Sequence, residues 1–233
     1  NTSLSCLTNP VMGKLGLAPT IGIGNVDLIA PAVLTYISQK TKLDRSSIEI
    51  YLVCHHQHWV YPREAGYKPG APYFLKILAD GKDVTNQFDT DEVMYNSVKL
   101  YAPGIAFTTV SASSTLKNLN ALVKDQDLKT HSPGPNGLPG GYPVLLNGNG
   151  AEVNLPDEIT LDDAIKMNEE SGKLDSIQEI QDDGTVVFTD YAHKIMKEIL
   201  GFNCKSFKPS ESKDLALKQI ACYKKLAEQH IKN

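Results

Sequence analysis

Arginine is nearly missing from this sequence of 233 residues: Arg45 and Arg63 are its two representatives, and every other fixed cation is a lysine. A guanidinium fork is the preferred grip for a carboxylate or a phosphate, so few positions are available for that task. Cysteine is also scarce. Cys6, Cys54, Cys204 and Cys222 are widely spaced and form no C-x-x-C pair, which argues against a disulfide framework and for a reducing, cytoplasmic setting. No apolar run approaches the roughly 18 residues of a membrane span. Residues 1–10 lack a basic start followed by an apolar stretch, so no signal peptide is expected. Neither sign of charge dominates. The formal net charge is -4, with no basic excess and no block of like charges, and nucleic acid is excluded as an expected partner.

What the chain does have is enough apolar residues, 41%, for one large domain or two small ones. Residues 4–7 read as the end of a buried strand, followed by a turn at Thr8-Asn9-Pro10, because Pro10 biases Asn9 away from helix. An apolar segment at 21–24 leads into a helix over 27–40, with Pro31 near its first turn. Residues 47–60 read as one long strand. A Pro/Gly-rich segment, 62–72, separates it from a hairpin with its turn at Asp80-Gly81. Helices are expected over 89–101 and 114–124, a long loop over 131–141, and a second hairpin over 142–155. Thr160 is placed as the cap of a helix reaching 167, and a turn at Asp183-Gly184 precedes a strand over 185–188. Asp190 caps a helix that stops at Gly201, and Ser212 starts the last one. Helices with antiparallel hairpins, and no repeated βαβ unit, make the expected class α+β.

The densest chemistry is Cys54-His55-His56-Gln57-His58, which holds three of the six histidines. Imidazole is the side chain that exchanges protons near neutral pH. On a strand, His56 and His58 share a face with Cys54, so a metal held by His56 and His58 is a minor reading beside acid–base chemistry. Asp27, near a helix start, is either an N-cap or the carboxylate that fixes the tautomer of a catalytic histidine. Asn9 closes a turn or binds a substrate oxygen. Ser111, Ser113 and Ser114 are helix caps in the simpler reading, and Ser111 lines a substrate pocket in the sharper one. Gly22-Ile23-Gly24 opens like a dinucleotide fingerprint but lacks its third glycine and its βαβ surroundings, so it is no cofactor loop.

Four segments occur in a family order. Thr8-Asn9-Pro10-Val11 resembles the T-N-P-V segment of lactate and malate dehydrogenases. Ile21-Gly22-Ile23-Gly24 with Val26-Asp27 resembles the G-x-G-x-x-L-D segment. Cys54-His55-His56-Gln57-His58 stands where that family has G-E-H-G-D, which puts His56 in the place of the catalytic histidine. Gly141-Tyr142-Pro143-Val144-Leu145-Leu146, with Asn149-Gly150 and Ala151-Glu152-Val153, resembles the family's G-x-P-V hairpin. Family-4 glycoside hydrolases, of the same superfamily, are also similar through Asn9-Pro10, residues 22–25, His56 and the run from Asp80 to Thr85.

The resemblance implies a lactate/malate dehydrogenase C-terminal-like domain, with residues 1–10 ending an absent nucleotide-binding domain and 11–233 forming the substrate and catalytic domain. It implies an oxidoreductase acting on a hydroxy or keto substrate. NAD or NADP would be bound mainly by the absent half, and homo-oligomers are expected. His56 would be the acid/base, Asp27 its partner, and Asn9 a ligand to the reacting oxygen. The family's substrate arginine is replaced by Ala30, so Arg63 becomes the expected anion ligand. The glycosidase branch would add a divalent metal, although its cysteine is replaced by Gly24. A catalytically inactive oligomerisation domain of the same fold is the remaining alternative.

Overall fold

The structure, a computed structural model, describes residues 4–231 apart from 69, 102, 103 and 105. The chain begins with α1 (Ser5–Lys14), not with a strand and a turn. Pro10 lies inside this helix, and its missing N–H would have bonded to the carbonyl of Cys6. That carbonyl accepts instead from the Gly140 amide at 3.1 Å, so a contact distant in sequence meets the group that proline leaves unpaired.

Next is α2 (Val26–Thr41), followed by β1 (Ile48–Val53). The expected long strand therefore stops at Val53, and α3 (Gln57–Val60) begins four residues later. β2 (Phe74–Ala79) and β3 (Lys82–Asp83) form the predicted hairpin. Asp80 and Gly81 at its turn both have positive φ, 50° and 74°, as a tight two-residue turn requires. α4 (Thr90–Ser97) is capped by Asp89, whose carboxylate accepts from the Glu92 amide. α5 (Ala106–Val123) begins earlier than expected, so Ser111, Ser113 and Ser114 lie within it and do not cap it.

β4 (Leu128–Pro133) occupies the start of the expected loop and pairs with β5 (Gly141–Asn147), which turns into β6 (Gly150–Val153). α6 (Leu161–Gly172), capped by Thr160, runs five residues beyond the expected end at 167. β7 (Ile177–Ile180) and β8 (Val186–Phe188) precede α7 (Asp190–Leu200), whose N-cap is Thr189 rather than Asp190. β9 (Ser206–Phe207) and α8 (Ser212–Ile231) complete the described chain.

All pairings among the described strands are antiparallel, in three sheets of order β1-β2-β3, β4-β5-β6 and β7-β8-β9. This is the α+β mixture expected from the sequence. A single bridge, Cys54 to Gly141, joins the first sheet to the second. The largest core cluster lies where α2 crosses the first sheet: Val26, Ile29, Val33 and Ile37 pack against Ile50, Leu52 and Ile77, with Val93, Met94 and Val98 closing the other side. Each aliphatic side chain fully buried there contributes about 1.5–3 kcal/mol relative to exposure. This packing fixes the end of β1 against the start of α2. All four cysteines are free, and no helix of the described residues is long and apolar enough to cross a membrane.

Candidate functional site

The histidine segment occupies the joint between β1 and α3. His55 is buried and His56 is partly open. The His55 amide donates to His58 Nδ1 at 3.1 Å. That nitrogen is therefore unprotonated, and the proton sits on Nε2, which donates to the Ala71 carbonyl at 3.2 Å. The His55 carbonyl also lies 3.2 Å from Nδ1. Burial lowers the His58 pKa to about 4, against the opposing pull of the Ala71 and His55 carbonyls. His58 is thus a neutral structural clamp between the joint and the segment leading into β2. The strand geometry that placed His56 and His58 on one face is not formed. Both nitrogens of His58 are engaged by backbone, and no group of three His, Cys, Asp or Glu side chains able to hold a metal gathers among the described residues.

His55 and His56 converge on one carboxylate. Asp175, at the end of the single 3-10 turn that follows α6, places Oδ2 2.6 Å from His55 Nδ1 and Oδ1 3.2 Å from His56 Nδ1. Burial alone would raise the Asp175 carboxyl. The hydrogen bonds and charge of the two imidazoles outweigh it and bring the carboxyl down to about 2. An ionised carboxylate is an acceptor only, so both Nδ1 atoms carry protons and donate to it. His55 also has Gln57 Oε1 3.0 Å from the same nitrogen. For His56 this leaves Nε2, which has no hydrogen-bond partner among the described residues.

His56 lines a cleft of about 420 Å³ between the start of α1, the start of α2 and the first half of α5. Asn25, Thr108, Ser111 and Thr115 supply polar groups to its wall, and Cys6, Leu28 and Trp59 supply apolar ones. Asn25 adopts φ of 50°, a conformation a non-glycine residue rarely takes up. Its Nδ2 donates to Cys6 Sγ at 3.2 Å, while its Oδ1 has no partner. Burial, with the negative charge of Asp175, pushes the Cys6 thiol up to about 12. Cys6 is therefore held as a protonated thiol at neutral pH.

The other expected site residues are distributed differently. Ser111 lies on the wall of the His56 cleft. Asp27 does not meet His56, and it does not cap α2. Its side chain is 1% exposed and turns toward α5 and β4. There it accepts from Ser114 Oγ, from Lys117 Nζ at 2.5 Å, from Asn118 Nδ2 at 3.1 Å and from Thr130 Oγ1 at 2.9 Å. A buried carboxylate needs several donors, and α5, which starts earlier than the sequence suggested, supplies three of them. Asn9 is wholly buried on α1 and donates to the Gly134 carbonyl at 2.8 Å, away from the cleft wall. Arg63 stacks its guanidinium 4.5 Å from the centre of the Trp59 ring and donates to the carbonyls of Val98 and Tyr101. It joins the chain after α3 to the end of α4.

Asp175 itself was not anticipated. It is 119 residues from His56, in a stretch without a placed motif. One local signal existed: an acidic residue just past the C-terminal end of a helix, where the dipole disfavours it, calls for an external partner.

No family model matches the sequence, and no curated protein matches it. In structure the chain is similar to the malate dehydrogenase from Aeropyrum pernix, at 16% identity and a TM-score of 0.47, over 73% of this chain and 59% of that one. It is similar to the lactate dehydrogenase from Cryptosporidium parvum, complexed with lactic acid and nicotinamide adenine dinucleotide, at 16% identity and a TM-score of 0.44, over 71% and 60%. The Cryptosporidium parvum malate dehydrogenase gives 14% identity and a TM-score of 0.43, over 70% and 56%. The chain spans about three-fifths of the length of these dehydrogenases.

The described residues do not fit a dinucleotide. Every strand pair is antiparallel, so no parallel βαβ unit presents a helix N-terminus to a pyrophosphate. Gly22 in the partial fingerprint is used for packing. Its amide donates to the Pro133 carbonyl at 2.8 Å, and an added Cβ would lie 2.2 Å from Ser5 Cβ.

Proposed function

We propose that this chain carries the acid–base site of an enzyme acting on a small hydroxy or keto substrate, with His56 as the group that exchanges the proton. The observation that carries the reading is the pair formed by His56 and Asp175. Asp175 holds Nδ1, and Nε2 is left without a partner among the described residues, on a residue that lines a cleft with polar and apolar walls. In the base form, Nε2 takes the hydroxyl proton of a bound substrate, and the adjacent carboxylate stabilises the imidazolium that results. In reverse, the imidazolium returns that proton to the substrate oxygen. His55 holds Asp175 from the buried side and acts as a positioning residue. Ser111, Thr108 and Asn25 are the polar groups available to orient the substrate.

The substrate-handling domain of an NAD- or NADP-dependent oxidoreductase is the specific form we infer. The support is the order of sequence segments that resembles lactate and malate dehydrogenases, together with this dyad. The nicotinamide would be held by residues outside this chain. Asp175 replaces Asp27 as the partner of His56 in this proposal, and the metal-dependent glycosidase reading is not retained.

The test is turnover of small 2-hydroxy acids by the natural full-length polypeptide. His56→Asn and Asp175→Asn are each expected to lower kcat by roughly 10²–10⁴-fold, the range for removing general acid–base catalysis. The pH limb set by His56 should shift in Asp175→Asn. Full activity in His56→Asn would refute the proposal.

A further inference from the structure

A second cavity lies on the other side of α2. It measures about 290 Å³ and is walled by α2, β1, β4 and α5, with Asp27, Arg45, Glu49, Lys117, Lys129 and His131 on its lining. Its volume is near the lower end of the roughly 300–1,000 Å³ of small-molecule sites. The lining has an unusual inventory of unmatched groups.

His131, on β4, is 8% exposed. Its Nε2 accepts the Leu52 amide at 3.2 Å. A ring nitrogen that accepts is unprotonated, so the proton sits on Nδ1. Burial, assisted by the positive charge of Lys117, lowers the His131 pKa to about 3, so the ring stays neutral and Nδ1 remains a donor at ordinary pH. That Nδ1–H has no partner among the described residues. On a residue that lines the cavity, it is a donor available to a ligand acceptor.

Both Asp27 oxygens and one Glu49 oxygen around it are already engaged. Asp27 takes four donors. Glu49 Oε1 accepts from Lys129 and from Tyr51, each at 2.9 Å. The donors are not exhausted. Lys117 gives N–H bonds to Asp27 and Thr130 and keeps a third. Arg45 is exposed and gives one bond to Thr35 Oγ1. Lys117 is balanced by Asp27 and Lys129 by Glu49, so the Arg45 charge is the surplus.

We propose that this cavity binds a small oxyanion group, the phosphoryl or carboxylate end of a metabolite, received by His131 Nδ1–H, Lys117 Nζ and the Arg45 guanidinium. It is a second ligand site, separated from the His56 cleft by the body of α2. α5 contributes to both: Ser111 and Thr115 to the cleft, Lys117 to this cavity.

The experiment titrates the natural full-length protein with inorganic phosphate, and separately with acetate, at fixed ionic strength. Heat and the ¹⁵N resonances of His131 are followed. Saturable binding that moves the His131 Nδ1 resonance is expected. Arg45→Ala should weaken it about tenfold, the usual worth of one charge-assisted bond. Arg45→Gln serves where the alanine variant lowers the melting temperature. Response to phosphate alone assigns a phosphoryl ligand, to acetate alone a carboxylate, and to both a general oxyanion site. His56→Asn should leave this binding intact whether or not His56 is catalytic, so the two proposals fail separately. Absence of saturation by both anions, unchanged affinity in Arg45→Ala, or binding lost in His56→Asn would overturn the assignment.

Discussion

Replacing Asp175 by asparagine removes one charge shared by two imidazoles, and the cost can be worked from the titration of that carboxyl. In the folded chain it titrates at about 2, against an ordinary 3.8. Its side chain is 13% exposed, so little of the difference is lost to solvent screening. The difference corresponds to about 2 kcal/mol of stability. The folded value lies below the unfolded one, so this contribution is complete above pH 3.8 and is lost as the pH falls toward 2. Urea unfolding of wild type and Asp175→Asn at a series of pH values isolates it. His131 also titrates in acid, alike in both proteins, and cancels in the difference, whereas His58 loses in the variant the Asp175 charge that favours its protonated form. The wild-type advantage is expected to be about 2 kcal/mol at pH 7 and to shrink below pH 4. An advantage that keeps its full size at pH 3 would show that the carboxylate charge is not what binds the two histidines, and the dyad argument would fall with it.

The sequence exposed the local chemistry of the site and hid its closure. Histidine density marks the 54–58 segment, the resemblance to the dehydrogenases picks His56 from it, and Ser111 stands out by its position just before an expected helix. Both residues reach the cleft. The first hairpin was legible because Asp80-Gly81 is a pair that readily adopts the positive φ its two-residue turn requires. Asp27 was misassigned because its partners come from α5, whose first turns lack the charged and apolar alternation that marks a helix. A run of Ser and Thr reads as caps until packing decides otherwise. Asn9 was misread for a related reason. Pro10 predicts a turn locally, and only the Gly140 amide, supplied by the second sheet, makes a helix tolerable there. In each case the deciding partner was more than 80 residues away. That separation is beyond the reach of periodicity, which registers a residue's own face and not what that face meets.

Three further outcomes follow from the same contacts. His58 and His131 are held neutral, at about 4 and about 3, while an unfolded histidine titrates at 6.5. The unfolded chain therefore binds more protons between those values, and stability is expected to fall by several kcal/mol as the pH drops from 6.5 toward 4; a flat urea midpoint across that window would contradict the burial assigned to them. Gly22→Ala would bring a Cβ within 2.3 Å of the Pro133 carbonyl oxygen, and thermal unfolding should register a loss of about 1–3 kcal/mol for the forced shift. Asp27→Asn exchanges a carboxylate that accepts from four side chains for an amide that accepts at one end, leaving the Lys117 ammonium without its counter-charge. Breaking a buried pair costs about 3–5 kcal/mol, and because Lys117 is 37% exposed the lower end is expected. The two roles open to Asp27 predict opposite patterns. As the residue that ties α2 to α5 and β4, it loses stability in urea while the pH limb of turnover set by His56 stays where it was. As a catalytic partner of His56 it would keep its stability and lose turnover by orders of magnitude, and that result would return Asp27 to the acid–base site and displace Asp175 from it.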